Sequence, residues 1–175
     1  ICSMEDVDRG AKVGLRWARG PFEMMNRIGV DEACRMAKAY AQTAGEGWTV
    51  PAFFAGQGDD AWDFSYVDSD VSDGVATITI NRPEAMNALN VTVVSQMIKA
   101  VSAANANDAV HTIVLDGAGK AFVAGADVKF FVDKIRADAI PDIYDFTAEG
   151  HELLNLLETS SKTTVALTTG LALGG

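Results

Sequence analysis

The chain reads as an α/β protein in two parts, a short all-helical segment followed by alternating strands and helices. Three observations carry that reading. Residues 75–80, Val-Ala-Thr-Ile-Thr-Ile, alternate apolar side chains with threonine, the period of a strand with one buried face. Val94, Met97, Ile98 and Val101 then share a helical stripe, and His111–Leu115 is a second short β-branched run. Strand, helix and strand in succession is the pattern of a parallel crossover. Residues 1–58, by contrast, hold helical spacing and no strand signal.

Taken in order, Glu5–Leu15 forms a helix with Val7, Ala11 and Leu15 on one face. Gly20-Pro21 breaks and restarts the chain, since proline suits a first helical turn. Phe22, Met25 and Ile28 continue at helical spacing, Gly29 stops that helix, and Asp31 is a candidate N-cap for a third reaching Tyr40. Gly45–Gly58 is glycine-rich, and Asp59–Gly74 mixes acids with aromatics, which reads as a connector. The implied divisions are 1–58, a connector at 59–73, and 74–175. In the last part Asn81-Arg82-Pro83 ends the first strand and Asn90 caps the next helix. Asp116-Gly117 closes the second strand, and a helix is expected after the loop that follows it. Pro141–Glu158 is helical through Leu153, Leu154, Leu156 and Leu157, and Thr163–Leu167 is a third strand.

Composition narrows the function classes. With 175 residues, 49% of them hydrophobic, the chain buries a real core and is not a disordered segment. The net charge of -10 argues against a nucleic-acid partner, and no stretch approaches the roughly 18 apolar residues of a membrane span. Two cysteines, Cys2 and Cys34, cannot build a disulfide framework, so a reducing, cytoplasmic setting is expected. Residues 63–175 hold fifteen acids against seven bases, and residues 1–62 nine against seven. An anionic ligand must therefore be held by local groups. The first residue is not methionine and the last two are Gly174-Gly175, so a piece of a longer chain is expected.

Two segments carry candidate chemistry. Gly117-Ala118-Gly119-Lys120-Ala121-Phe122-Val123-Ala124-Gly125-Ala126-Asp127-Val128-Lys129 leaves a strand and sets small side chains around a loop. Small side chains let a ligand reach the backbone, whose N–H groups can hold a developing oxyanion. A tight turn alone would also explain the glycines. Gly170-Leu171-Ala172-Leu173-Gly174-Gly175 likewise follows a strand and is suited to open a helix N-terminus toward an anion, or simply to turn.

With Asn81–Asn90 these segments form three ordered motifs: VATITINRPEAMNALN, GKAFVAGADVK and TGLALGG. Residues 74–175 thereby resemble the N-terminal half of an enoyl-CoA hydratase of the crotonase superfamily. The resemblance implies part of the crotonase-like (ClpP/crotonase) ββα fold and a coenzyme A thioester as substrate. It places the oxyanion-hole N–H donors on Ala126 and Gly175. It assigns the coenzyme A arm to backbone around Ala124, Ala126, Asp127, Val128 and Lys129, and the pantetheine and acyl path to Met86 and Ala88. Where some relatives carry lysine this chain has Glu84, which suits a phosphate poorly. The resemblance also implies two catalytic glutamates beyond Gly175, so these 175 residues are expected not to hydrate a substrate. Glu149, Glu152 and Glu158 lie on a helix whose other face packs, and are read as solvated.

A second resemblance covers roughly residues 1–55. Asp6-Val7-Asp8-Arg9-Gly10, Gly20-Pro21-Phe22-Glu23-Met24-Met25 and Ile28-Gly29-Val30-Asp31 are similar to the helical C-terminal domain of 3-hydroxyacyl-CoA dehydrogenases. That implies NAD for a domain preceding Ile1, with no cofactor bound by the residues present. It also implies self-association, a dimer through this part and a trimer through the hydratase part. The joint expectation is a bifunctional β-oxidation enzyme. A crotonase-type isomerase or thioester hydrolase, and a non-catalytic acyl-CoA-binding or assembly module, are the alternatives. His111 and His151, far apart with no cysteine nearby, make no metal site, and Cys34, Trp17, Trp48 and Trp62 read as packing residues.

Overall fold

The computed structural model describes residues 2–174. They form two compact units that divide between Phe64 and Ser65. The first contains α1 (Met4–Gly14), α2 (Pro21–Ile28), α3 (Val30–Ala41) and a 3-10 turn at Ala52–Phe54. Ser3 caps α1, its Oγ accepting the Asp6 N–H at 3.1 Å. The N-terminus of α2 is capped from α1: the carboxylate of Asp8, 1% exposed, accepts the N–H groups of Phe22 at 2.8 Å and Glu23 at 2.9 Å. Glu23 reciprocates locally by accepting the Gly20 N–H at 3.2 Å. The start of α3 differs from the sequence reading. Its cap is Gly29, and Asp31 lies in the first turn, where its charge complements the helix dipole.

Phe22, Phe53, Phe54 and Trp62 build an aromatic cluster in this unit, with Phe22 edge-on to Trp62 at 5.3 Å. Asn26 pins it by pairing both ways with the main chain of Trp62, at 2.7 and 2.9 Å. Trp48 packs edge-on to Tyr40 at 5.0 Å, whereas Trp17 is 47% exposed. Because Asp8 alone satisfies two N–H groups of α2, Asp8→Ala is expected to cost this unit about 2 kcal/mol. Thermal unfolding of the variant with the helix signal as readout checks it, and a loss below about 0.5 kcal/mol would contradict the cap.

The second unit is α/β. Its four-stranded sheet runs β1 (Val67–Ser72), β2 (Val75–Ile80), β3 (Thr112–Gly117) and β5 (Thr163–Ala166), the first pair antiparallel and the rest parallel. A separate parallel pair joins β4 (Ala121–Val123) to β6 (Leu171–Ala172). Three helices complete it, α4 (Val91–Ala106), α5 (Val128–Arg136) and α6 (Ile140–Glu158). Ala76, Ile78 and Ile80 are at most 1% exposed, as the alternation of β2 requires. They pack with Val93, Met97 and Val101 of α4, Ile113 of β3 and Leu153 of α6. Asn90 caps α4, its Oδ1 accepting the Val93 N–H at 2.8 Å.

The stretch read as a connector, 59–73, contains a sheet strand. Residues 67–72 pair along their whole length with β2, although Asp68–Ser72 are exposed. The turn is Asp73-Gly74, with φ of 50° and 78°, the left-handed pair that joins tightly twisted antiparallel strands. Among the described residues, no helix is long and apolar enough to cross a membrane.

Candidate active site

Loop 81–90 and the segment 118–127 meet beyond the ends of β2 and β3. Pro83–Ala85 makes a single 3-10 turn, and Met86 and Asn87 follow in the left-handed region at φ 51° and 56°. That reversal brings the Met86 carbonyl to the Ala124 N–H at 3.1 Å. Leu89 then donates its N–H to the Gly125 carbonyl and accepts the Asp127 N–H, both at 2.8 Å. These bonds make Leu89 and Ala126 a parallel bridge.

The bridge determines the direction of one peptide group. Both its bonds use the neighbours of Ala126, so the N–H of Ala126 itself points to the opposite side. Among the described residues it donates to no acceptor. Ala126 also lines a cavity of about 290 Å³, together with Leu89, Phe122, Gly125, Phe146 and Gly174 and apolar neighbours from α4 and α6. An N–H beside an apolar wall is a strong donor to a carbonyl oxygen, because little water competes for it.

The second glycine-rich segment reaches the same place. Leu171 donates its N–H to the Lys120 carbonyl at 3.1 Å, and Leu173 to that of Val123 at 2.9 Å. Gly174 thus borders the cavity beside Ala126. Gly175, named as the second donor, lies outside the described residues.

Residues 75–175, more than half of the chain, match the family model described as Enoyl-CoA hydratase/isomerase. The chain belongs to the enoyl-CoA hydratase/isomerase family. A crotonyl-CoA hydratase from Syntrophomonas wolfei is 39% identical over 102 residues, which are 58% of this chain and 38% of that protein. The solved structure of Pseudomonas aeruginosa PA4980 is 30% identical, with a TM-score of 0.56 over 61% of this chain and 45% of its own. An enoyl-CoA hydratase from Bacillus halodurans, at 24% identity and a TM-score of 0.58 over 61% and 43%, shares the fold. The chain spans about two fifths of the length of the curated relatives that it matches. Residues 1–74 lie outside the family match.

Within the matched hydratase/isomerase segment, Met86, Ala88, Ala124, Ala126 and Asp127 come together around the bridge. Met86 acts there through its carbonyl, and its side chain is 49% exposed. Val128 and Lys129 open α5 at the surface, where Val128 is 71% exposed and the Lys129 ammonium pairs with Asp133 at 3.0 Å.

Two residues that tie these loops together carry no assignment from sequence. Asn87, fully buried, accepts the Arg82 N–H at 2.9 Å and donates to the carbonyls of Ala118 at 3.0 Å and Ala121 at 2.7 Å. Arg82 donates through its guanidinium to the Ala88 carbonyl and to Asp127. Asparagine tolerates the left-handed region, so its place just after the turn was the available signal.

Glu152, Glu158 and His151 are exposed on α6. Glu149 departs from the solvated reading. It is half-buried, and its Oε2 is shielded from solvent with no partner among the described residues.

Proposed function

We propose that the second unit holds the carbonyl oxygen of an acyl-CoA thioester on the Ala126 N–H. On this reading the longer protein adds water to a 2-enoyl-CoA to form a 3-hydroxyacyl-CoA. The observation that carries it is the unpartnered Ala126 N–H beside an apolar cavity, inside the family-matched segment. Water attack at C3 moves electron density onto the thioester oxygen before C2 takes its proton. A fixed N–H stabilises that charge more than it stabilises the neutral carbonyl, and that difference lowers the barrier. Gly175 supplies the second donor in this proposal, and backbone of Ala124–Lys129 with Met86 and Ala88 holds the coenzyme A arm.

The proton and water steps require carboxylates, which the proposal assigns to residues following Gly175 in the longer protein. The isomerase reading shares the oxyanion site and differs in those carboxylates alone. We assign residues 1–58 to the tail of an NAD-dependent 3-hydroxyacyl-CoA dehydrogenase, on the Asp-Val-Asp-Arg-Gly and Gly-Pro-Phe-Glu motifs and the three helices. The chemistry is consecutive, since hydration makes the alcohol that a dehydrogenase oxidises.

The test uses the full-length protein with crotonyl-CoA and NAD. Loss of the enoyl absorbance coupled to NADH formation is expected, and the 175 residues alone are expected to give neither. Hydration without NADH would remove the dehydrogenase assignment. Turnover by the 175 residues alone would remove the downstream carboxylates, and failure of the full-length protein to hydrate would remove the hydratase.

A further inference from the structure

We infer that Arg82 is a positioning residue for the oxyanion donor, acting on Ala126 through the residues at each end of its bridge. The role rests on the thioester reading above. Arg82 Nη1 donates to the Ala88 carbonyl at 3.1 Å, and Nη1 and Nη2 donate to Asp127 Oδ2 at 3.2 and 3.3 Å. Ala88 precedes Leu89 and Asp127 follows Ala126, so one guanidinium ties both strands of the bridge beside its two main-chain bonds. The pair is largely sheltered, with side chains 18% and 25% exposed, so water screens it less than a surface pair.

The other groups around Arg82 keep it in that pose. Its guanidinium carbon lies 5.7 Å from the centre of the Tyr66 ring, and its own N–H is held by Asn87. Asp127 is fixed in turn, because its Oδ1 accepts the Lys129 N–H at 3.1 Å and caps α5. Arg82 does not line the cavity beside Ala126. It therefore acts on the direction of the Ala126 N–H and not on the thioester. A misaimed donor weakens the transition-state contact more than the ground-state one, which predicts a change in kcat with little change in KM. Lysine reaches one of the two acceptors but cannot fork between them.

The experiment compares full-length wild-type, Arg82→Met and Arg82→Lys proteins in three measurements. These are hydration kinetics, the absorption band of a bound 2,4-dienoyl-CoA, and amide exchange across residues 86–90 and 124–129. Carbonyl polarisation moves the dienoyl band to longer wavelength, so the band reports donor alignment directly. In Arg82→Met, kcat is expected to fall about tenfold or more, with KM within about threefold. The band shift should shrink and exchange at Leu89 and Asp127 should accelerate, with Arg82→Lys between the two. If Arg82→Met does not fold, Arg82→Lys carries the same comparison.

A kcat within twofold of wild type overturns the role, even if the melting temperature falls. If the wild-type protein neither hydrates nor shifts the band, the thioester reading is what fails. Exchange then decides on Arg82 alone: unchanged protection at Leu89 and Asp127 overturns the clamp, and faster exchange supports it.

Discussion

Replacing Ala126 by proline is expected to lower the hydration kcat of the full-length protein by about 10²–10³-fold, the usual cost of losing one oxyanion donor. Proline removes the N–H and sets its ring Cδ where that hydrogen stood. The bridge to Leu89 uses the Gly125 carbonyl and the Asp127 N–H, so its bonds survive the substitution. The residue before a proline is restricted, but Gly125, at φ 70°, is the residue type best able to adapt. Ala126→Ser serves as the control, because it keeps the N–H in the same place. A large drop in kcat with a melting temperature within a few degrees of wild type is the expected pair of results. A proline variant within threefold of wild type would show that the donor is another group.

The second large effect concerns stability. Asn87→Leu keeps the branched shape of the side chain but strips three hydrogen bonds from a fully buried position, leaving the Arg82 N–H and the Ala118 and Ala121 carbonyls to find new partners. Each orphaned buried group costs about 1–3 kcal/mol. Leucine also resists the left-handed backbone at φ 56°, which adds about 1 kcal/mol. A total of about 4 kcal/mol or more is expected, enough to unfold a marginal domain. Asn87→Asp should be no better, because a carboxylate oxygen would face two carbonyl oxygens. Denaturant midpoints of the three proteins provide the measurement. A loss under about 1 kcal/mol in Asn87→Leu would mean that the two loops are held by something other than this amide.

What the sequence made legible follows burial. β2 was readable to the residue because one of its faces is completely buried, and α4 because Asn90 caps it and Val93, Met97 and Val101 face the core. β1 was not, because Val67–Ser72 is polar and exposed along nearly all its length. Beyond Val67, which packs against the core, it is held along its length by the ladder with β2, which hydropathy does not record. The Asp73-Gly74 turn between two six-residue segments was the overlooked signal. β4 and β6, of three and two residues, are too short for any period to show.

The site divides in the same way. Motif resemblance drew attention to Ala126, whereas composition and spacing alone favour a simple turn. The direction of its N–H depends on Leu89, Gly125 and Asp127 meeting across the fold. Arg82 and Asn87 stand within a motif but carry no task in the sequence reading, since Asp127, Ala118 and Ala121, which they also bind, lie far along the chain. A side chain whose partners are main-chain atoms leaves no pattern in residue types.

Those distances along the chain have a consequence for how the protein is made. Asn87 reaches Ala121 across 34 positions, Arg82 reaches Asp127 across 45, and β4 waits for β6 from after the third parallel strand. Each contact closes a long loop, whose entropy is lost before the contact repays it. The helices and the β1–β2 hairpin can form early from local contacts, whereas the ligand-facing peptide is oriented only when remote segments have docked. On the proposed thioester reading, a growing or partly folded chain is expected to hold secondary structure before it can hold the ligand, with binding gained late.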